Sequence, residues 1–395
     1  MITVDDAISR ILNRAAPLGT EQVSISALVG RIAATDVKAE ITQPPYAASA
    51  MDGYAVRQAD VLKGAKLRII GEAPAGTPFD GEVKPGSAVR IYTGGVVPAG
   101  ADYVVIQEDV SRDGDIICIE AEQSGSSNIR AAGIDFLKGD VIVKAGTSLH
   151  EIHGSICAAA NIPKIEVMRR PKVAFFANGD ELVEPGEDLS PGQIVNSNRY
   201  ALSAMIKAWG GEPIYLGRAP DDVTVLCQYF EQGQDADVIV PIGGASVGDY
   251  DYVKMAFSDV GGEIDFTKIA VKPGKPTWFG NIDKTLVLGL PGNPASAIVT
   301  AALFLQPLVR KLGADVTRPV REIAELAEPI RANGRRELYL RGQIIGETGR
   351  LKVVPAVNQD SSLLSPFGNA NGLIRREVEA PALNAGDEVE VIRLR

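Results

Sequence analysis

Four short polar stretches interrupt apolar runs in the middle of the chain, and their residue types suit a phosphorylated ligand. They are Asn178-Gly179-Asp180-Glu181, Arg218-Ala219-Pro220-Asp221-Asp222, the turn after Pro241-Ile242 that carries Gly243, Gly244, Ser246 and Gly248, and Pro291-Gly292-Asn293-Pro294 followed by Ala295-Ser296. Glycines let backbone N–H groups approach a ligand, Ser246 adds a hydroxyl, and a helix starting near Asp251 would aim its positive end at the same place. The turn is neither GxxxxGK[ST] nor GxGxxG, so nucleotide-loop fingerprints do not apply. Taken singly, each stretch also has a structural reading. Asp222 can cap the helix it precedes, and Asn293 before Pro294 is an ordinary helix start. By spacing alone the glycine turn suits a tight turn as well as an anion cradle.

The segment "KIAVKPGKP" adds cations. Lys268 and Lys272 share a face if the segment is extended, and Lys275 follows a Pro-Gly turn. A single lysine is ordinarily a solvated surface residue. Three around a rigid turn make an anion trap, each charge pair being worth about 1 kcal/mol in water at 4 Å and several times more when partly desolvated. Asp180, Glu181, Asp221, Asp249 and Asp251 would repel a phosphate unless cations stood between them. Mg²⁺ fits, because it takes one or two carboxylates, keeps waters and binds substrate phosphate oxygens. The expected ligand is a phosphorylated or pyrophosphorylated molecule, bound with Mg²⁺ beside a second anion held by lysines. His150 and His153 lack HExxH spacing and a cysteine pair, which argues against a zinc site. With only two histidines in the chain, a hydrolase triad is not expected.

The elements that position these residues are legible from periodicity. Apolar runs "KVAFFA", "EPIYLG", "DVIVPIGG" and "TLVLGLPG" alternate with helical stretches in which Leu202, Met205, Ile206 and Trp209, then Val223, Leu226 and Phe230, recur at helical spacing. That alternation predicts a central parallel α/β domain with helices on both faces and a ligand beyond the carboxyl ends of its strands. An amphipathic helix opens the chain, with Ala7, Ile8, Ile11, Leu12 and Ala15 on one face and Thr3 with Asp6 in capping geometry. Residues 44–138 read as short strands between Gly, Pro and Asp turns, and short strands return after Pro319. Pro307 should kink or break the helix that starts at Pro294.

The 395 residues predict two to four domains. A net charge of −10 is unsuited to coating nucleic acid or an anionic membrane. Cys118, Cys157 and Cys227 are scattered, as in a reducing compartment. No signal peptide and no apolar run of membrane-spanning length is read, so the expectation is a cytoplasmic, soluble protein.

The blocks "SAMDGYAV", "RIYTGGVVPAGADYVV", "NIRAAGIDF", "NGDELVEPG", "GGASVGDYDYVK", "KPGKPTWFG", "LPGNPASA" and "ANGLI" together resemble the MoeA-type molybdopterin molybdenumtransferases, relatives of the gephyrin E domain. The resemblance implies insertion of molybdate into adenylylated molybdopterin, with release of AMP and help from Mg²⁺. It implies a homodimer with a shared cleft, and contact with a molybdopterin adenylyltransferase. It implies an elongated segmented domain at 20–38 and 139–170, a β-barrel-like domain at 39–138, an α/β molybdopterin-binding domain of MogA/MoaB type at 1–19 and 171–317, and a second β-barrel-like domain at 318–395.

By motif, Asp52 and Thr93 would act from the partner side. Glu181, Asp221 and Asp251 would serve the metal and pyrophosphate, and Lys268, Lys272 and Lys275 the molybdate or phosphates. Gly179, Asp180, Gly243, Gly244, Ser246, Gly248, Pro291, Asn293 and Ser365 would bind substrate. The chain departs from the family pattern at Ala177-Asn178, where Ser-Thr is frequent, and at Pro241-Ile242, where Thr-Ser is frequent. It also departs at Ala245 and Ile134. Two other functions remain open at this point: molybdopterin adenylylation, and a non-catalytic scaffold like gephyrin.

Overall fold

The computed structural model describes residues 1–123, 125–244, 251–316, 321–346 and 351–394. Two compact units result, one from residues 1–21, 30–32 and 168–395 and the other from 22–29 and 33–167.

The first unit is built on a six-stranded sheet in the order Glu212–Ala219, Lys172–Asn178, Val238–Ile242, Thr285–Gly289, Trp278–Ile282 and Glu263–Phe266. The first four strands run parallel, as the βαβ pattern predicts. The last two are antiparallel and extend the sheet at one edge. Successive residues of a strand point to opposite faces, so an unbroken apolar run must be covered on both. Phe175 packs into one core with the helices Val4–Arg14, Asn198–Ala208 and Pro294–Thr300. Phe176 packs into the other with Val223–Gln232 and Tyr252–Asp259. The opening helix is capped as expected, Thr3 Oγ1 accepting from Asp6 N at 3.1 Å, and buries Ala7 and Ile11.

The helix that starts at Pro294 runs to Leu312, the extent its pattern predicts. Its length and composition suffice to cross a membrane, yet 78% of it is buried in the core, which accounts for its hydropathy. Pro307 neither breaks it nor leaves it regular. Residues Ala301–Leu305 widen into a π turn in which Gln306 N donates to Ala301 O, five residues back. A π turn opens room where the proline ring would otherwise meet the preceding turn.

The same unit ends in a second sheet. Strands Arg321–Leu326, Glu337–Ile345, Lys352–Pro355, Gly372–Arg376 and Glu388–Arg393 close into a barrel, because Gly372–Arg376 pairs with both Glu388–Arg393 and Glu337–Ile345. The short strand Val271–Lys272 pairs in parallel with Glu337 and Leu338, which ties the lysine-bearing turn to the barrel.

The other unit holds a six-stranded half-barrel in the order Tyr103–Ile106, Gly53–Val56, Ser87–Ile91, Lys66–Ala73, Ile116–Ile119 and Val110–Asp113. A separate core gathers Leu28, Val37, Phe136, Leu149 and Cys157 around the helix Glu151–Ala159. The half-barrel itself buries two further clusters, one with Tyr54, Leu67 and Ile117 and one with Ala73, Val83 and Val104.

Trp278, fully buried, lies across Gly289 on the neighbouring strand, and a β-carbon there would sit 1.9 Å from its Nε1. Gly289→Ala is expected to cost about 1–3 kcal/mol or more through overpacking. Urea denaturation should show this as a lower midpoint at unchanged slope.

Candidate functional site

The carboxyl ends of the parallel strands open onto a cavity of about 670 Å³. Glu181, Gly243, Gly244, Pro291 and Asn293 line it, drawn from three of the four polar stretches. The fourth stretch reaches it indirectly. Asn178, on the cavity wall and only 4% exposed, donates from Nδ2 to Asp221 Oδ1 at 3.0 Å and to Pro220 O at 3.2 Å. Asp180 Oδ1 accepts from Asp221 N at 3.3 Å. The structure separates the two adjacent aspartates. Asp222 Oδ1 caps its helix by accepting from Val225 N at 2.9 Å, which leaves Asp221 as the one that faces Asn178.

Other carboxylates have local duties. Asp251 Oδ1 accepts from Lys254 N at 3.2 Å as a helix cap, and its Oδ2 pairs with Lys254 Nζ at 2.5 Å. Asn293 precedes Pro294 as expected, but its side chain makes no cap and donates instead to Ser361 Oγ at 3.2 Å. Ser246, Gly248 and Asp249 lie outside the described residues. Among the described residues no group of three His, Cys, Asp or Glu is arranged to hold a metal.

A second cavity, about 600 Å³, adjoins the first through Pro276, which lines both. Its walls carry Lys272, Lys275, Arg336 and Arg341, with Ser296 and Ser361. Residues 358–364 run between the two: Asn358, Gln359, Asp360 and Ser361 line the cationic cavity, Ser362 and Leu364 the other. Arg341, 2% exposed, holds this segment. Its guanidinium donates to Leu363 O at 2.8 Å, Asp360 O at 2.9 Å, Asn358 O at 3.3 Å and Gln359 Oε1 at 3.2 Å. Burial lowers its pKa without threatening its charge. Asp360 turns away toward Ser362, accepting from its hydroxyl at 2.6 Å and its N at 2.8 Å, and these bonds hold its carboxyl below the usual range. The cationic character of the cavity thus rests on Lys272, Lys275 and Arg336.

Family comparison settles the affiliation. Residues 2–161 match "MoeA N-terminal region (domain I and II)", 174–311 match "Probable molybdopterin binding domain", and 324–394 match "MoeA C-terminal region (domain IV)". A protein of Haemophilus influenzae named molybdopterin molybdenumtransferase is 36% identical, over 99% of this chain and 98% of its own. The chain belongs to the MoeA family. A Nostoc protein of the same name is 35% identical over 100% and 94% of the two chains. Two crystal structures of molybdopterin biosynthesis moeA proteins from Pyrococcus horikoshii superpose over 100% of this chain. Their TM-scores are 0.87 and 0.80 at 33% and 28% identity, and 99% and 100% of those chains are covered.

The residues carried over from MoeA motifs fall into distinct places. Glu181, Gly243, Gly244, Pro291 and Asn293 meet at the first cavity, while Gly179, Asp180 and Asp221 stand behind it around Asn178. Lys272 and Lys275 meet at the second. Lys268 is exposed and is not among the residues lining either cavity, its carbonyl accepting from Ile2 N at 3.2 Å. Ser365 begins a short 3₁₀ turn and is exposed; Ser361 and Ser362 of the same run reach the cavities instead. In the other unit Asp52 and Thr93 are brought together, Thr93 N and Oγ1 each donating to Asp52 Oδ1 at 2.8 Å. The backbone bond first and the hydroxyl second hold the Asp52 carboxyl below its ordinary range.

Sequence reasoning missed Asn196, Asn198, Arg336, Arg341 and the clamp around Tyr215. Asn196 Nδ2 donates to Tyr215 Oη at 2.9 Å and to Glu184 Oε1 at 3.2 Å, and Arg199 pairs with Glu184 at 2.8 Å while stacking 4.3 Å from the Tyr215 ring. Burial, then the Glu184 charge, pushes the Tyr215 hydroxyl up to about 12. The run "VNSNRY" carried the signal, three polar residues at a helix start where one cap would do.

The two histidines cap a helix. His150 Nδ1 accepts from Ile152 N at 3.4 Å, and His153 Nδ1 accepts from His150 N at 3.1 Å, with the rings 4.0 Å apart. Burial first, then the neighbouring His150, lowers the His153 pKa from its ordinary 6.5. A depressed folded-state pKa gives stability that is complete above the unfolded value and lost as pH falls through the folded one. The thermal midpoint should therefore drop as the pH is lowered below 6.5. His153→Gln, which keeps an acceptor, should shrink that drop.

Proposed function

We propose that this chain is a molybdopterin molybdenumtransferase, inserting molybdate into adenylylated molybdopterin and releasing AMP. The observation that carries the reading is the pair of cavities sharing one wall, one rich in glycine turns and hydrogen-bonding groups, the other cationic. A tetrahedral dianion suits the cavity to which two exposed lysines, Lys272 and Lys275, and the half-buried Arg336 supply positive charge. The pterin-bearing substrate suits the larger one. Two thiols that bind molybdate displace one oxo group as water, and one water cleaves the phosphoanhydride to AMP, so the exchange balances without an oxidant. Fixed donors aimed at the transferred oxyanion do the stabilising, in place of a covalent nucleophile.

Mg²⁺ fits the acids present. Glu181 and Asp221 supply two carboxylates at one strand edge, and such an ion takes its remaining ligands from water and substrate phosphate. When bound it neutralises the pyrophosphate. Asp251, paired with Lys254, contributes a helix cap and a compensated charge. We read the two units as four domains of a cytoplasmic homodimer in which Asp52 and Thr93 complete the partner's cleft. A molybdopterin adenylyltransferase is the enzyme expected to hand over the substrate.

Purified protein given adenylylated molybdopterin, Mg²⁺ and molybdate should release AMP only when molybdate is present. Release that ignores molybdate would sink the reading, and AMP consumption with ATP-dependent adenylylation would favour the neighbouring reaction. Lys272→Ala and Lys275→Ala should each raise the molybdate needed for half-maximal rate by about tenfold or more, about 1.4 kcal/mol. Asp52→Asn and Glu181→Gln should each be inactive alone. Mixed and allowed to exchange subunits, they should regain activity at one shared cleft per dimer, while an unshared cleft would show no recovery.

A further inference from the structure

Glu337 opens a barrel strand and is 8% exposed, although it carries a carboxylate. Its Oε1 accepts from Tyr339 Oη and from Arg375 Nε, each at 2.6 Å. Arg375 Nη1 donates in turn to Glu390 Oε2 at 3.2 Å. Tyr339 is buried, and burial first, then the bond to Glu337, hold its hydroxyl far above the usual range, so it stays a donor. Glu337 and Arg375 do not line the cationic cavity, but the neighbours of Glu337 on either side, Arg336 and Leu338, do. The backbone of Glu337 also carries the lysine turn. Its N donates to Ala270 O at 2.9 Å, and it pairs with Val271 while Leu338 pairs with Lys272. Arg336 Nη1 reaches back to Val271 O at 3.4 Å, and Tyr339 shares a core with Ile269 and Val271.

The strand Val271–Lys272 is only two residues long, so its own ladder holds its register weakly. A slip of one residue would turn Lys272 to the opposite face. A buried ion pair contributes little net stability compared with well-packed apolar side chains, and its best-attested use is to fix register. We propose that Glu337 is a positioning residue for the transferred oxyanion. Bonded to Tyr339 and Arg375, it fixes the barrel edge against which Val271–Lys272 pairs, and so sets where Lys272, Lys275 and Arg336 meet at the cationic cavity. The lysines and Arg336 act on the ligand, and Glu337 acts through them. The proposal rests on the transferase reading for the identity of the oxyanion, which is molybdate.

Two variants separate placement from folding. Glu337→Met combined with Tyr339→Phe and Arg375→Met replaces the polar triad by apolar groups of similar volume and should melt no lower than the wild type. Its dissociation constant for molybdate, read by equilibrium dialysis of the full-length protein, should still rise about tenfold or more, as misplaced binding groups dictate. In the AMP-release assay, half-saturating molybdate should rise with it. The rate at saturating molybdate and the half-saturating adenylylated molybdopterin should stay within about threefold. Tyr339→Phe alone keeps the charges paired and should raise the molybdate constant about threefold, the scale of one hydrogen bond; it carries the test if the triple variant does not fold. A merely structural role would lower the rate through the folded fraction and leave both half-saturation values unmoved. That result, wild-type molybdate affinity in either folded variant, or a wild-type protein that binds no molybdate would overturn the proposal. The same experiments keep the two readings apart: molybdate-dependent AMP release with unchanged affinity in the variants removes only this proposal, and weakened molybdate binding in the variants without AMP release from the wild type removes only the transferase.

Discussion

The buried guanidinium of Arg341 is the interaction on which the site's layout depends. It is charged, almost inaccessible, and satisfied chiefly by backbone carbonyls of residues 358–364. Burying a charge is tolerable only when its donors are matched, and a planar five-donor fork can match several carbonyls at once where an ammonium could not. Those carbonyls belong to the segment that separates the two cavities. Gln359 completes the clamp by bonding the Arg341 backbone in both directions, at 2.9 Å each. The wall is further pinned to the α/β domain where Ala295 N donates to Ser361 O at 3.0 Å. One arginine thereby fixes where the terminal barrel ends and the ligand space begins.

Charge is sorted across that wall. Glu181 lines the first cavity, with Asp180 and Asp221 behind it. Lysines and Arg336 sit on the other side. Two pockets of different character thus meet at one thin partition, with Pro276 lining both. The annexed strand Val271–Lys272 places the lysine turn there, because hydrogen bonding to Glu337 and Leu338 makes it part of the barrel while the preceding chain belongs to the α/β domain.

Much of this was legible in the residues. Apolar runs such as "KVAFFA" can only be strands covered on both faces, and Phe175 and Phe176 do enter opposite cores. The polar strand exits converged because a parallel sheet ends all such strands on one side. What stayed hidden depended on long-range geometry. Nothing in "YLRG" says that Arg341 will be buried, and nothing in "DSSLLS" distinguishes Ser365 from Ser361, since a 3₁₀ turn decides which hydroxyls face inward. Lys268 was grouped with Lys272 by strand periodicity. The strand there is only two residues long, so the periodicity did not extend that far. The tryptophan and proline that shape the core were readable as types, whereas the π turn that absorbs Pro307 was not, being a compromise between a helix and its packing.

The order of the chain has a temporal consequence. The opening helix Val4–Arg14 buries Ile11 completely, in the same core as Val299, Phe304 and Leu308. Leu18 N is bonded to Leu312 O at 2.8 Å, and Ile2 N to Lys268 O. None of those partners exists when the helix leaves the ribosome. At about 5–20 residues per second, roughly 300 further residues take about 15–60 s to synthesise. For that interval the amphipathic face waits in solvent, and a segment made well before its partners is among the last to find its place.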